Sequence, residues 1–183
     1  FDILWIGDSG DLYFFLFPND DDALVQQMIA VAQSLCVFHR KGEQVNPASD
    51  FAYTADGGEV TITDYIGTSE HVLIPDTIDG LPVTALADKA FYEKHVTTVV
   101  VPDSVTEIEG NPFKNCKALR TVELSPNHPL LTVQDGMLID HVHQRVLRRL
   151  TTGAVCIVPE GIKEIADGAF GRIPELTEIT LPG

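Results

Sequence analysis

Apolar and polar positions repeat along this chain in a fixed order. Val96-Thr97-Thr98-Val99-Val100-Val101-Pro102, Leu119-Arg120-Thr121-Val122-Glu123-Leu124 and Leu176-Thr177-Glu178-Ile179-Thr180-Leu181-Pro182 each carry apolar residues at positions one, four and six. Positions four and six are alternate residues of one short strand, so they share a face and point inward. Pro102 and Pro182 lack a ladder donor, so they end their strands and turn the chain away. A second apolar set, Val105 and Ile108 and then Phe113 and Cys116, returns to the same core from the opposite wall. The same order recurs through Val158, Pro159, Ile162, Ile165, Ala169 and Phe170, and through Ile74, Pro75, Val83, Leu86, Ala90 and Phe91. No unit of this kind buries its faces alone, so neighbours must stack into a solenoid.

The steps from Phe91 to Phe113 and from Val158 to Leu181 are 22 and 23 residues, within the roughly 20 to 29 of leucine-rich repeats. Phe113 to Phe170 is a longer step of 57 residues. Asp135-Gly136 is a hairpin-turn dipeptide, and Met137–Asp140 and Arg145–Leu150 read as two strands, so β-structure replaces one outer segment there. Over residues 51–183 the cycle I-P…V-x-x-I…A-F-x-x-C…L-x-x-I-x-L-P, with the opening Gly58–Gly67 and Ile74–Thr84 segments, resembles the BspA-like branch of the leucine-rich-repeat family. Pro112, Ser125 and the Ile173-Pro174 pair depart from the cycle at single turns. The resemblance implies an α/β solenoid of short strands joined by convex turns or short helices, with an inserted β-hairpin. It also implies a bacterial surface or secreted protein engaged in adhesion or contact.

Residues 1–45 lie outside the cycle. Ile3–Ile6 and Leu12–Phe17 flank Gly7-Asp8-Ser9-Gly10, a hairpin signal. Asn19 to Asp22 supply a cap and negative charge for a helix carrying Leu24, Met28, Val31, Ala32 and Leu35 at helical spacing. A hairpin plus one helix is too small to stand alone, so this piece is expected either to pack on the first repeat or to be the end of a truncated α+β domain. Residues 46–50 read as a linker, part of the polar stretch Lys41 to Asp50. The first residue is Phe, so the sequence is expected to continue a longer precursor.

Charge then narrows the partners. With 12 Lys and Arg against 27 Asp and Glu the net charge is −15, a surface that repels phosphate backbones and anionic lipid. No nucleic acid is expected as a partner. No apolar run reaches the roughly 20 residues that span a bilayer, so no membrane insertion is expected. Cys36, Cys116 and Cys156 are an odd set without paired spacing, which suits small buried apolar residues better than a disulfide framework or zinc.

Catalytic chemistry finds little purchase. There is no nucleophile elbow, P-loop or dinucleotide motif. Glu107 and Glu109 flank a core Ile108 and face solvent on a turn, without the cleft a glycoside hydrolase needs. His141 and His143 share one strand face but lack a further ligand at recognised spacing, and Asp20 to Asp22 suit helix capping better than calcium. No metal and no cofactor are expected, and the chain is not expected to be an enzyme. Function then rests on strand residues that alternate with the core: Thr98 and Val100, Thr121 and Glu123, Glu178 and Thr180, all expected on the concave face. Arg145, Arg148 and Arg149 form a basic cluster on the inserted hairpin and a secondary candidate patch. The expected partner is a protein or a glycan. The competing expectation is a structural spacer or targeting appendage of a larger protein.

Overall fold

The computed structural model describes residues 44–171 and 173–182, together with the backbone of two short strands near the start. The chain forms two units, Phe1–Gln44 and Val45–Gly183. In the first, β1 (Ile3–Ile6) and β2 (Leu12–Phe15) pair antiparallel, with Ile3 opposite Phe15 and Ile6 opposite Leu12. The helix expected from Asp20 to Leu35 lies outside the described residues.

The second unit begins at the stretch expected to be a linker. Asn46 is nearly buried, and its backbone and side chain together clasp Leu73: the Asn46 N–H donates to the Leu73 carbonyl, and the Leu73 N–H donates to Asn46 Oδ1 at 2.8 Å. A 3-10 turn, Ala48–Asp50, leads into β3 (Phe51–Asp56) and β4 (Glu59–Tyr65), an antiparallel pair. β5 (His71–Leu73) follows, then β6 (Thr77–Ile78) and β7 (Leu81–Leu86), joined by Asp79-Gly80. Both turn residues take positive φ, 53° and 78°, which the Asp-Gly pair tolerates. β8 (Thr98–Val100), β9 (Glu107–Ile108) and β10 (Thr121–Glu123) complete two coils. The insertion is a three-stranded meander of β11 (Leu131–Gln134), β12 (Met137–Asp140) and β13 (Arg145–Arg149). β14 (Val155–Ile157), β15 (Glu164–Ile165) and β16 (Glu178–Thr180) form the last coils.

Two walls enclose the core. One is a parallel ladder, β5-β8-β10, with Val72, Val99 and Val122 level and buried. The other runs β4-β7-β9, with Ile62, Leu86 and Ile108 level. Phe51, Tyr65, Phe91 and Phe113 fill the space between in one column, with ring centroids 5.6, 5.6 and 5.3 Å apart in succession.

The architecture corrects the α/β expectation: among the described residues it is nearly all strand, and the outer segments are turns, not short helices. Lys89 and Glu93 adopt φ of 65° and 56°, bracketing only three residues. That is too few to offset the cost of a helix nucleus. The turn amides instead bond the next coil, as when Phe91 N–H donates to the Pro112 carbonyl at 2.8 Å and Lys89 N–H to Asn111 at 3.1 Å. Stacking satisfies the groups that a helix would have satisfied internally.

The insertion changes the array. Leu138 and Leu147 pack into the main core, while Met137, Ile139 and Val146 face a second, smaller core with Cys156, Val158 and Ala169. The sheet is therefore a partition with both faces covered. Its β13 edge pairs parallel with β15, Val146 level with Ile165, and so takes the place of an outer-wall strand. Gly136 (φ 72°) turns it where a Cβ would collide with the Thr151 side chain. Phe170 does not extend the aromatic column: it is half-buried in the second core, beyond the partition.

His128 pins the start of the insertion. Its Nε2 lies 3.2 Å from the Pro102 carbonyl, and its Nδ1 accepts from the N–H groups of Leu130 and Leu131 at 3.2 and 3.1 Å. This pattern needs the neutral imidazole with its proton on Nε2. Burial holds its pKa below the ordinary 6.5, against a smaller upward pull from Asp103 and with His141 adding to the depression. The unfolded chain then binds a proton that the fold refuses, so this contribution is intact above pH 6.5 and is lost as pH falls from there toward the depressed value. Urea titrations from pH 7.5 to 5 should show that slope. The His128→Gln variant should flatten it while costing about 1–3 kcal/mol at neutral pH, and an unchanged slope would remove His128 as its source.

Candidate interaction surface

On β8 and β10 the inward residue is flanked by two that are open to solvent, whereas on β5 Leu73, beside inward Val72, is buried. Register places Thr121 beside Thr98 and His71, and Glu123 beside Val100 and Leu73. On the second ladder Glu178 stands beside Val155, and Thr180 beside Ile157. Thr98, Val100 and Glu123 are half-exposed, whereas Thr121, Glu178 and Thr180 are exposed. The outer face thus collects the six residues named from the sequence in two groups, Thr98, Val100, Thr121 and Glu123 on one ladder and Glu178 and Thr180 on the other.

Two residues on that face escaped the sequence pattern. Val155 and Ile157 point outward from β14 with 53% and 66% of their surface exposed, around buried Cys156. Segment 153–158 begins with Gly153 where the motif has a large apolar first residue, so the motif did not register it. The closing Val158-Pro159 pair was its usable signal.

Arg145, Arg148 and Arg149 do not make a surface patch. Arg145 reaches back to the Ile108 carbonyl at 3.1 Å and to buried Asp140 at 3.2 Å. Arg148, 1% exposed, donates to the carbonyls of Cys116, Gly168 and Gly171 at 2.9, 3.1 and 2.9 Å. Arg149 is nearly buried and donates to the Val155 carbonyl at 3.0 Å. Asn111 adds bonds to the Leu147 and Asp167 carbonyls at 2.8 and 2.9 Å. These side chains join the partition to the coils on either side, where strand pairing is interrupted.

Other candidate chemistry is dispersed. His141 and His143 sit in a turn, the first against the His128 carbonyl and the second 2.7 Å from Asp140. Among the described residues no group of three potential ligands could hold a metal. Cys116 and Cys156 are buried and free, and burial raises both thiol pKa values, that of Cys116 to about 12 with its Sγ bonded to the Phe91 carbonyl. Both thiols are held in their unreactive form. Glu107 and Glu109 are exposed beside buried Ile108. Among the described residues no helix is long and apolar enough to cross a membrane.

Comparison with known proteins agrees with this geometry. Residues 84–138 match the family described as BspA type leucine rich repeat region (6 copies). The structure is similar to that of a leucine rich repeat protein of T. pallidum, with 28% identity, a TM-score of 0.51 and coverage of 74% of this chain and 71% of the other. It is also similar to a leucine-rich repeat protein from Eubacterium ventriosum, with 20% identity and a TM-score of 0.53. That likeness covers 66% of this chain but only 32% of the longer protein. No protein of curated function matches. Motif, wall geometry and likeness agree: residues 84–138 match BspA-type leucine-rich repeats, and the array as a whole is similar in fold to leucine-rich-repeat proteins.

Proposed function

We propose that the chain is a non-enzymatic binding module of a bacterial surface or secreted protein, which contacts a protein or glycan through the outer face of its strand ladders. The observation that carries this reading is the register. It sets outward residues of successive coils side by side on a backbone fixed by the column of buried rings, and such rigidity lowers the ordering cost of binding. Small polar residues on the face suit hydrogen bonding, and Val155 and Ile157 add apolar area. The absence of Trp, Tyr and Arg among the outward ladder positions points to modest affinity per site, raised by several copies on one surface.

The test is a screen against surface glycans and matrix proteins, repeated on any hit with Thr121→Lys and Glu123→Lys combined and separately with Ile157→Glu. At least one of these variants is expected to weaken binding by about tenfold. Binding unchanged in both would move the site off this face. The lack of aromatic anchors also supports a second reading, a spacer that holds a neighbouring domain away from a surface. In that case the screen yields no hit.

A further inference from the structure

The insertion opens a seam in the array. In the coils before each ladder strand one carbonyl accepts two amides of the next coil: Glu70 from Thr97 and Thr98, Thr97 from Arg120 and Thr121, Ala154 from Thr177 and Glu178. Among the described residues the Arg120 to Val155 step lacks this bond, and β10 and β14 belong to separate sheets. At this interruption lies a cavity of about 260 Å³, bordered by Lys117 and Arg120 from one coil, Arg149, Thr151 and Thr152 from the end of the insertion, and Ile173, Pro174 and Glu175 from the last coil.

Its charge runs against that of the protein. Three of the chain's 12 cationic side chains border it with one carboxylate, although acids outnumber bases by 27 to 12 overall. Glu175 does not neutralise them: among the described residues neither Lys117 nor Arg149 forms an ion pair. Arg120 is steadied by its Nη1, which donates to the Lys117 and Leu119 carbonyls at 2.7 and 3.0 Å. Arg149 is 96% buried by its 4% exposure, and its Nη1 is a buried donor with no partner. A buried guanidinium with an unmet donor, beside two more cations, is stabilised by an oxyanion.

We infer that this seam is a subsite for an oxyanion carried on a sugar, a sulfate ester or a uronate carboxylate. The cations take the anionic group, the Thr151 and Thr152 hydroxyls face ring hydroxyls, and Ile173 and Pro174 offer an apolar wall to the C–H face of a ring. The volume suits one sugar unit. The inference rests on the binding-module reading and specifies one subsite, and its test needs no macromolecular partner.

The experiment is titration of the whole chain, followed by calorimetry and NMR at low salt, with glucose 6-sulfate, glucuronate, glucose, inorganic sulfate and N-acetylaspartate. Saturable binding of at least one of the two acidic sugars is expected, with none for glucose. The combined Lys117→Ala and Arg120→Ala variant, which changes two exposed side chains, should weaken it by about tenfold or more, and added salt should weaken it too. Thr151→Val with Thr152→Val should reduce sugar-sulfate affinity while leaving inorganic sulfate unaffected. Arg149→Lys, which keeps the charge, checks the buried donor separately from the exposed pair. Absence of saturation by either acidic sugar, or affinity unmoved by the Lys117 and Arg120 changes, overturns the subsite. Inorganic sulfate or N-acetylaspartate binding as tightly as the sugars overturns the saccharide assignment. A failed partner screen with intact sugar titration separates the two claims: the ladder-face reading falls and the subsite stands.

Discussion

Replacing Phe113 with alanine is expected to destabilise the array by about 3–5 kcal/mol. Phe113 has no exposed surface and stacks on Phe91 at 5.3 Å, at the end of the column that begins with Phe51. Truncation removes the transfer energy of the ring and leaves a cavity whose walls, the ladder and the partition, are held by their own hydrogen bonds and cannot close on it. At roughly 2–4 °C per kcal/mol for a protein of this size, the melting midpoint should fall by roughly 6 to 20 °C. Phe170→Ala is the comparison. Phe170 is half-buried in the small second core, and its loss should cost about 1–2 kcal/mol from area alone. Equal losses in the two variants, or a near-neutral Phe113→Ala, would contradict the column as the main support of the array.

That difference also marks what the sequence could and could not tell. The spacing of Phe91, Phe113 and Phe170 showed coils, because periodicity records which residues return to a core. It could not show that two cores exist. The length of the insertion was plain from the 57-residue step, yet its burial was misjudged. A hairpin with one solvated face alternates apolar and polar residues, whereas Met137-Leu138-Ile139 is a continuous apolar run, the pattern of a strand covered on both sides. With both faces covered, the arginines of β13 had to be inside. Strand residues of the ladder were legible, since their outward placement follows from the period of two. The turns were not, because whether a short outer segment coils into a helix depends on bonds to the next coil, which no local pattern encodes.

The same partition sets the second large effect. Arg148→Met should cost about 2–3 kcal/mol and Arg148→Ala about 3–5 kcal/mol, a balance of two opposing quantities. The guanidinium bonds three carbonyls, those of Cys116 before the insertion and of Gly168 and Gly171 after it. Burial depresses its pKa, and its Nε has no partner, so keeping the charge inside is costly. Removing an entire buried ionic cluster is often neutral, because every member leaves together. Here the acceptors are backbone and stay, each losing a bond worth about 1–3 kcal/mol where water cannot reach. Relief of the buried charge offsets part of this loss, and methionine recovers packing that alanine does not. The damage should also be regional. Hydrogen exchange should quicken in β14, β15 and β16, whose coils join the main core through the partition, while β4, β5, β7 and β8 keep their protection. An Arg148→Met protein as stable as the parent, with even exchange, would mean that the carbonyls find water or each other, and that apolar packing alone joins the last coils to the rest.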